Sequence, residues 1–210
     1  MQARRTGPAA GGGGNIGILA LQGDFGLHRQ ALSRLGIASR DVRRPEDLDG
    51  LGGVILPGGE SSTMLRLMDG TPMEEAMAAF HERGGALFGT CAGLILLAAA
   101  VTAPAQRSLA LLDVDVQRNG YGRQIDSFET DLAWPGEEAP LRGVFIRAPR
   151  ITRVGPNVAV LIERGGEPQL VRAGRVLAAT FHPEATEDPR VHRYFVERVM
   201  ETHGEAVGVE

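Results

Sequence analysis

The chain has 210 residues, 43% of them hydrophobic, enough to bury one sizeable core in a domain of ordinary size. Its formal net charge is -4, with Asp+Glu 26 against Lys+Arg 22 and no long block of either sign, which disfavours a nucleic-acid partner. A single cysteine excludes an intramolecular disulfide framework, and no apolar stretch approaches the roughly 18–20 residues that span a bilayer. A cytoplasmic protein without membrane contact is therefore expected.

Residues 1–14 carry two arginines, Pro-Ala-Ala and four consecutive glycines without apolar periodicity, and they read as a disordered tail ahead of one domain over residues 15–205. Arg4-Arg5 fits a twin-arginine export signal poorly, because the next apolar run, residues 16–21, is too short for a signal core and leads into Gln22 and Asp24. Residues 15–21 read better as a first strand. Phe25, Leu27, Ala31, Leu32 and Leu35 then recur at helical spacing until Gly36. Residues 37–42 predict a second strand. Residues 53–56 predict a third, stopped by Pro57-Gly58-Gly59, with Ser61 or Ser62 as N-cap of a helix through Leu67. Thr71-Pro72 opens a helix to about Arg83, residues 86–88 are strand-like, and residues 94–101 form an unbroken Leu/Ala/Ile run of helical length. Strands alternating with helices predict a parallel sheet covered on both faces.

After Pro104, short Val/Ile/Leu runs near 109–118, 125–132, 143–147, 151–154, 158–163, 168–172 and 175–181 predict antiparallel strands and hairpins, with turns at 163–167 and Ala173-Gly174. A final amphipathic helix is expected over about 188–202. The expected fold class is thus α/β: a single domain with a mainly parallel central sheet flanked by helices, and additional antiparallel strands in the C-terminal half.

The cysteine lies in Gly89-Thr90-Cys91-Ala92-Gly93, between a predicted strand and a predicted helix. A sharp strand-to-helix turn needs small residues on both sides of a nucleophile, and the helix N-terminus favours thiolate over thiol. A lone cysteine is otherwise most often a buried structural residue, so a partner base decides the reading. Phe181-His182-Pro183-Glu184 follows the last predicted strand, and open parallel sheets build their sites at strand carboxyl ends. There His182 is suited to hold a thiolate, protonate a leaving amine and activate water, and Glu184 to orient the imidazole. The plainer readings are a backbone-bonded histidine and a solvated, helix-capping carboxylate. His28, His81, His192 and His203 fall on predicted helices at surface or half-buried positions, with His192 the one rival base in a plausible location. For an oxyanion, the paired glycines of Leu56-Pro57-Gly58-Gly59-Glu60-Ser61 offer backbone N–H groups, and the Ala92 N–H is the expected second donor. No His/Cys/Asp/Glu set has metal-ligand spacing, and no nucleotide-type phosphate loop is present, so neither metal nor cofactor is expected.

Together, the segments 56–61, 89–93 and 181–184 resemble the class I, or triad, glutamine amidotransferases along nearly the whole chain. Gly17-Ile-Leu-Ala-Leu-Gln-Gly23, Arg118-Asn119 with Gly122-Arg123-Gln124-Ile125-Asp126-Ser127-Phe128-Glu129, and Gly143-Val-Phe-Ile-Arg-Ala-Pro149 look more narrowly like the glutaminase subunits of pyridoxal 5'-phosphate synthases. The resemblance implies a catalytic triad of Cys91, His182 and Glu184, with Gly58, Gly59 and Ala92 around the oxyanion. It implies hydrolysis of L-glutamine to glutamate and ammonia through a glutamyl thioester. It further implies a glutamine site at Gly59, Glu60 and Ser61, completed by Arg118, Ile146 and Arg147. A zwitterionic substrate needs a cation and acceptors, which an arginine together with Glu60 or backbone carbonyls supplies; apart from the resemblance, both arginines read as solvated strand residues. The family also implies a barrel-shaped synthase subunit in a large hetero-oligomeric complex, which consumes the ammonia to make pyridoxal 5'-phosphate, and activation on docking through ordering of the turn near Gly58-Gly59. The rivals are a glutaminase serving another synthase, such as imidazole glycerol phosphate synthase, a non-amidotransferase cysteine hydrolase or chaperone-like protein of similar topology, and a catalytically silent binding module. The stretch 118–129 argues against the first, and His182-Pro183-Glu184 against the second.

Overall fold

A computed structural model describes residues 15–120 and 127–201. The expected tail over 1–14, the start of the run at 125–132, the family-like residues 122–126, the end of the last expected helix and of the domain beyond 201, and His203 lie outside the described residues.

In chain order the elements are β1 (Ile16–Leu19), α1 (Phe25–Arg34), β2 (Ser39–Val42), β3 (Gly53–Leu56), α2 (Ser61–Met68), α3 (Met73–Glu82), β4 (Ala86–Thr90), α4 (Ala92–Leu97), β5 (Ala98–Thr102), β6 (Leu112–Gln117), β7 (Ser127–Leu132), β8 (Leu141–Ile146), β9 (Arg150–Val154), β10 (Ala159–Arg164), β11 (Glu167–Ala173), β12 (Val176–Ala179) and α5 (Arg190–Tyr194). A seven-stranded sheet runs in the order β10-β11-β12-β4-β3-β1-β2. Its five strands from β12 to β2 are parallel, and β10 and β11 add an antiparallel edge. β1, β3, β4 and β12 are buried along their whole lengths, which explains why they read as unbroken apolar runs rather than alternating ones.

Side chains two apart along a strand share a face, so each of these strands feeds two cores. Val54, Leu56 and Leu87 pack with Met64 of α2, Met77 of α3 and Leu94 of α4. Ile16, Ile18, Ile55 and Phe88 pack on the other face with Leu32 of α1, Val191 of α5 and Phe195 just beyond it. β10 and β11 are joined through Gly165-Gly166, both at positive φ (59° and 80°), as a tight hairpin turn of right-handed twist demands. Two smaller sheets, β5-β6-β9 and β7-β8, complete the C-terminal half. Among the described residues, no helix is long and apolar enough to cross a membrane.

Four expectations are corrected. The helix expected over 94–101 begins at Ala92 and stops at Leu97, where the backbone turns extended at Ala98, and Ala98–Thr102 becomes β5, parallel to β6. An alanine-rich run fits either state, and pairing with Leu112, Asp115, Val116 and Gln117 decides it. The last run, expected to be antiparallel, is β12, whose parallel side lies against β4. The N-cap of α2 is Glu60 rather than a serine. The final helix starts at Arg190 and continues from Phe195 to Met200 as a wider π-helical turn.

Candidate active site

The register of β12 against β4 brings Cys91, His182 and Glu184 together. Ala179 pairs with Thr90, and the Cys91 N–H donates to the Ala179 carbonyl at 2.9 Å, so the two strands end level with one another. Cys91 follows directly on one strand, and His182 lies three residues past the end of the other. At Cys91 the chain turns into α4 with φ 47° and ψ -99°, a strained conformation for a residue with a side chain. The flanking glycines are required by contact. A Cβ at position 93 would lie 2.0 Å from the Leu56 carbonyl oxygen, and one at position 89 would lie 2.6 Å from the carbonyl carbon of Gly93. α4 is only six residues long, so the nearby imidazole is the more important counter-charge for a thiolate.

His182 is fixed by its backbone N–H donating to the Val144 carbonyl at 2.8 Å, and a 3-10 turn, Pro183–Ala185, brings Glu184 back beside it. The imidazole Nδ1 bonds Glu184 Oε1 at 2.9 Å, which turns Nε2 toward the cavity that Cys91 also lines. Nε2 is buried and lacks a hydrogen bond of good geometry, yet the Cys91 sulfur is the neighbour that acts on it most strongly. Nucleophile-base pairs commonly align only with substrate in place. Burial opposes the imidazolium, but the Cys91 contact and then the Glu184 bond outweigh it, and the His182 pKa is pushed up to about 10. Glycine at 58 is also a contact requirement, since a Cβ there would lie 2.3 Å from His182 Cε1.

Glu184 is wholly enclosed. Burial works against its charge, but His28 and His182 prevail and hold its pKa well below the usual carboxylate range. Its Oε1 accepts from Thr90 Oγ1 at 3.2 Å as well as from His182, and His28 Nε2 lies 3.4 Å away. His28 and His192 are therefore not surface or half-buried residues: both are fully buried. His28 shares a helical face with Ala31 and Leu32 at spacings of three and four, while Leu27, which the periodicity had placed inside, is 37% exposed. That spacing is the signal by which sequence reasoning could have found His28. His81 is part-buried and bonds the Gly85 carbonyl.

The cavity, about 220 Å³, is lined by Cys91 and His182, by Gly59, Glu60 and Ser61, and by Arg118, Ile146 and Arg147. Gly58 and Ala92 flank it without lining it. Glu60 accepts from Arg118 Nη2 at 2.9 Å and from Ser62 Oγ at 2.8 Å, so the acid and the arginine face each other across the cavity wall. Gln22 was not anticipated: its Oε1 accepts from the Glu60 N–H at 2.8 Å and packs so closely on Gly59 (φ 142°) that a Cβ there would lie 2.6 Å away. Asp24, Ile95 and Asn119 also line the cavity and were likewise missed. The Ile146 carbonyl lies 3.9 Å from Cys91 Sγ. Among the described residues, Asp24, His182 and Glu184 place donor atoms within 4.8 Å of one another. The Nδ1 of that set already serves Glu184, which makes it a hydrogen-bonded pair with a neighbouring carboxylate rather than a cation cage.

The model of the SNO glutamine amidotransferase family matches residues 18–201. The chain is 53% identical over 186 residues to a protein of Deinococcus radiodurans described as pyridoxal 5'-phosphate synthase subunit PdxT, covering 86% of this chain and 95% of that one. It is equally identical, over 186 residues, to a Thermus thermophilus protein of the same description, covering 88% and 97%. A solved structure described as a glutamine amidotransferase superposes with a TM-score of 0.82 at 51% identity, covering 87% of this chain and 97% of that one.

Proposed function

The chain belongs to the SNO glutamine amidotransferase family, and from that premise we propose that it is the glutaminase subunit of a pyridoxal 5'-phosphate synthase, hydrolysing L-glutamine to glutamate and ammonia. The observation that carries the reading is the level pairing of β4 and β12, which sets Cys91, at its strained turn, beside a His182 whose far nitrogen is bonded to a buried Glu184. Family and relatives support glutamine as substrate and vitamin B6 synthesis as the destination.

The Cys91 thiolate attacks the side-chain amide carbon of glutamine, forming a C–S bond as the carbonyl electrons move to oxygen. N–H groups at Gly59 and Ala92, with Gly58 shaping the turn, face that oxyanion. When the intermediate collapses, the C–N bond breaks, and the departing nitrogen takes the proton from His182 Nε2 and leaves as ammonia. A glutamyl thioester remains. Water then gives a proton to Nε2 and attacks the thioester carbonyl; the C–S bond breaks, and glutamate and the thiolate are released. Through both halves Glu184 stabilises the charged imidazole and fixes its tautomer. Arg118 and Glu60 pair with each other in the cavity. In this reading they separate to take the substrate carboxylate and ammonium, with Ser61, Ile146 and Arg147 closing the site.

Ammonia released into water would be protonated and diluted, so a partner that receives it directly makes chemical sense. We assign that role to a barrel-shaped synthase subunit in a large hetero-oligomeric complex, located in the cytoplasm, whose docking orders the turn at Gly58-Gly59. The test is to mix the chain with a candidate synthase and follow pyridoxal phosphate. Glutamine-dependent product supports the reading; glutamine hydrolysis without product assigns the ammonia to a different synthase.

A further inference from the structure

Behind the reacting groups lies a second, wholly buried set of polar side chains that the hydrolysis described above does not use. Thr90 of β4, His28 of α1 and His192 of α5 are all 0% exposed. They form a chain of contacts ending on the carboxylate: His192 Nε2 to His28 Nδ1 at 2.9 Å, His28 Nε2 to Thr90 Oγ1 at 3.1 Å, and Thr90 Oγ1 to Glu184 Oε1 at 3.2 Å. The direction of the protons follows from what is left unpaired. His192 Nδ1 is buried without a partner, and a buried N–H left unpaired is costly. The single N–H of a neutral His192 therefore belongs on Nε2, where it donates to His28 Nδ1. The His28 proton is then on Nε2, facing Thr90, and the Thr90 hydroxyl is free to donate to Glu184. Burial, first of all, pushes the His192 pKa down to about 3, consistent with a neutral ring at the head of the chain.

We propose that Thr90 and His28 are positioning residues for the glutaminase reaction, holding Glu184 ionised and aimed at His182 Nδ1 through a one-way chain of donors. The inference rests on the glutaminase reading and deepens it. Glu184 needs such support, since its Oε2 has no partner and the carboxylate is fully enclosed; a buried carboxylate with too few donors takes up a proton and ceases to serve an imidazolium. The groups that face it are His182 from its own turn, Thr90 from the end of β4 and His28 from α1, with His192 from α5 one step behind. Asp24, ahead of α1, lies 3.9 Å from His182 Nδ1, and Arg34 of α1 acts on His192. Threonine in the pentad thereby ties the nucleophile's own strand to the orienting carboxylate, with Cys91 the very next residue.

Cys91 is the sole cysteine, so the pH dependence of alkylation by iodoacetamide reports the thiolate-imidazolium pair without requiring turnover. The variants are Thr90→Val and His28→Leu, which remove the donor, and Thr90→Ser and His28→Gln, which keep one; thermal unfolding identifies those that are folded. Loss of a donor to the carboxylate is expected to move the acid limb of the alkylation profile up by about one pH unit, roughly tenfold slower labelling below the midpoint, with an unchanged plateau at high pH. Thr90→Ser and His28→Gln are expected to recover most of the shift. A midpoint common to the parent, Thr90→Val and His28→Leu, or a serine variant no better than the valine one, overturns the proposal. Glutamine hydrolysis is measured on the same preparations with the synthase present. A parent chain that shows the alkylation profile but no hydrolysis counts against the glutaminase reading alone, and the alkylation comparison still decides this one.

Discussion

Cys91, His182 and Glu184 are each less than one-tenth exposed, whereas across the cavity Ile146 is 42% exposed and the Glu60 side chain 40%. The first group stands at the level ends of adjacent parallel strands, cross-tied by Thr90 and His28. The second sits on turns and strand ends at the rim, where Glu60 and Arg118 have each other as partners. Proton transfer tolerates little error in position and gains from a low dielectric, and in the proposed reaction its groups are the ones held at the sheet's strand ends. In the proposed reaction, recognition of the zwitterion falls to groups that exchange partners as the substrate enters; Glu60 and Ile146 are open to water, whereas the Arg118 side chain is 15% exposed and Ser61 is buried. The cavity is thus half scaffold and half rim, and perturbations of the two halves should differ in kind.

The largest effect is expected at the nucleophile. Cys91→Ala should reduce glutamine hydrolysis in the presence of the synthase to background while leaving partner binding and thermal stability near those of the parent; retained hydrolysis would remove Cys91 from the chemistry. Next comes Glu184→Gln, which keeps the shape but loses the charge. It is expected to lower kcat on the order of 10³-fold with little change in KM, read by steady-state kinetics. A loss confined to KM would place Glu184 on the recognition side instead. At the rim the pattern reverses: Arg118→Ala should raise KM for glutamine about tenfold or more and alter kcat less. An equal fall in kcat and kcat/KM there would erase the distinction between the two halves.

The smallest expected effect is on stability. The folded-state pKa of His182, about 10, lies above the ordinary value of 6.5. A raised pKa stabilises the fold fully below pH 6.5, and that contribution is lost as pH rises toward 10. The melting temperature should therefore fall by about a few degrees across that window in the parent, and by less in Glu184→Gln, where one source of the shift is gone. Parallel curves would show that the imidazolium contributes nothing to folding.

The two halves were also unequally legible in the sequence. The strands that carry Cys91 and His182 are unbroken apolar runs ended by glycine or proline, and the pairs Gly89/Gly93 and His182/Glu184 are local in sequence, so their geometry follows from short-range chemistry. The buried network was not legible, because His28 meets Thr90 across 62 residues and His192 across 164. Its placement depends on the rotational phase of α1, where a shift of one residue exchanges Leu27 for His28 at the core. Gln22 escaped notice for a similar reason: its role depends on where β1 ends relative to the turn at Gly59. The run 94–101 failed differently, since Leu, Ile, Ala and Val in succession carry no period that separates helix from strand, and only the pairing of β5 with β6 resolves it.

The central claim is that Cys91 forms a covalent bond to the γ-carbonyl of glutamine. It is tested most directly by mixing the chain and its synthase with L-glutamine, quenching in acid within the first turnovers, and reading peptide masses. A single γ-glutamyl adduct on the peptide containing Cys91, absent from Cys91→Ala, is the predicted result. Ammonia release at an undiminished rate, with no adduct at any time and with Cys91→Ala equally active, would contradict it.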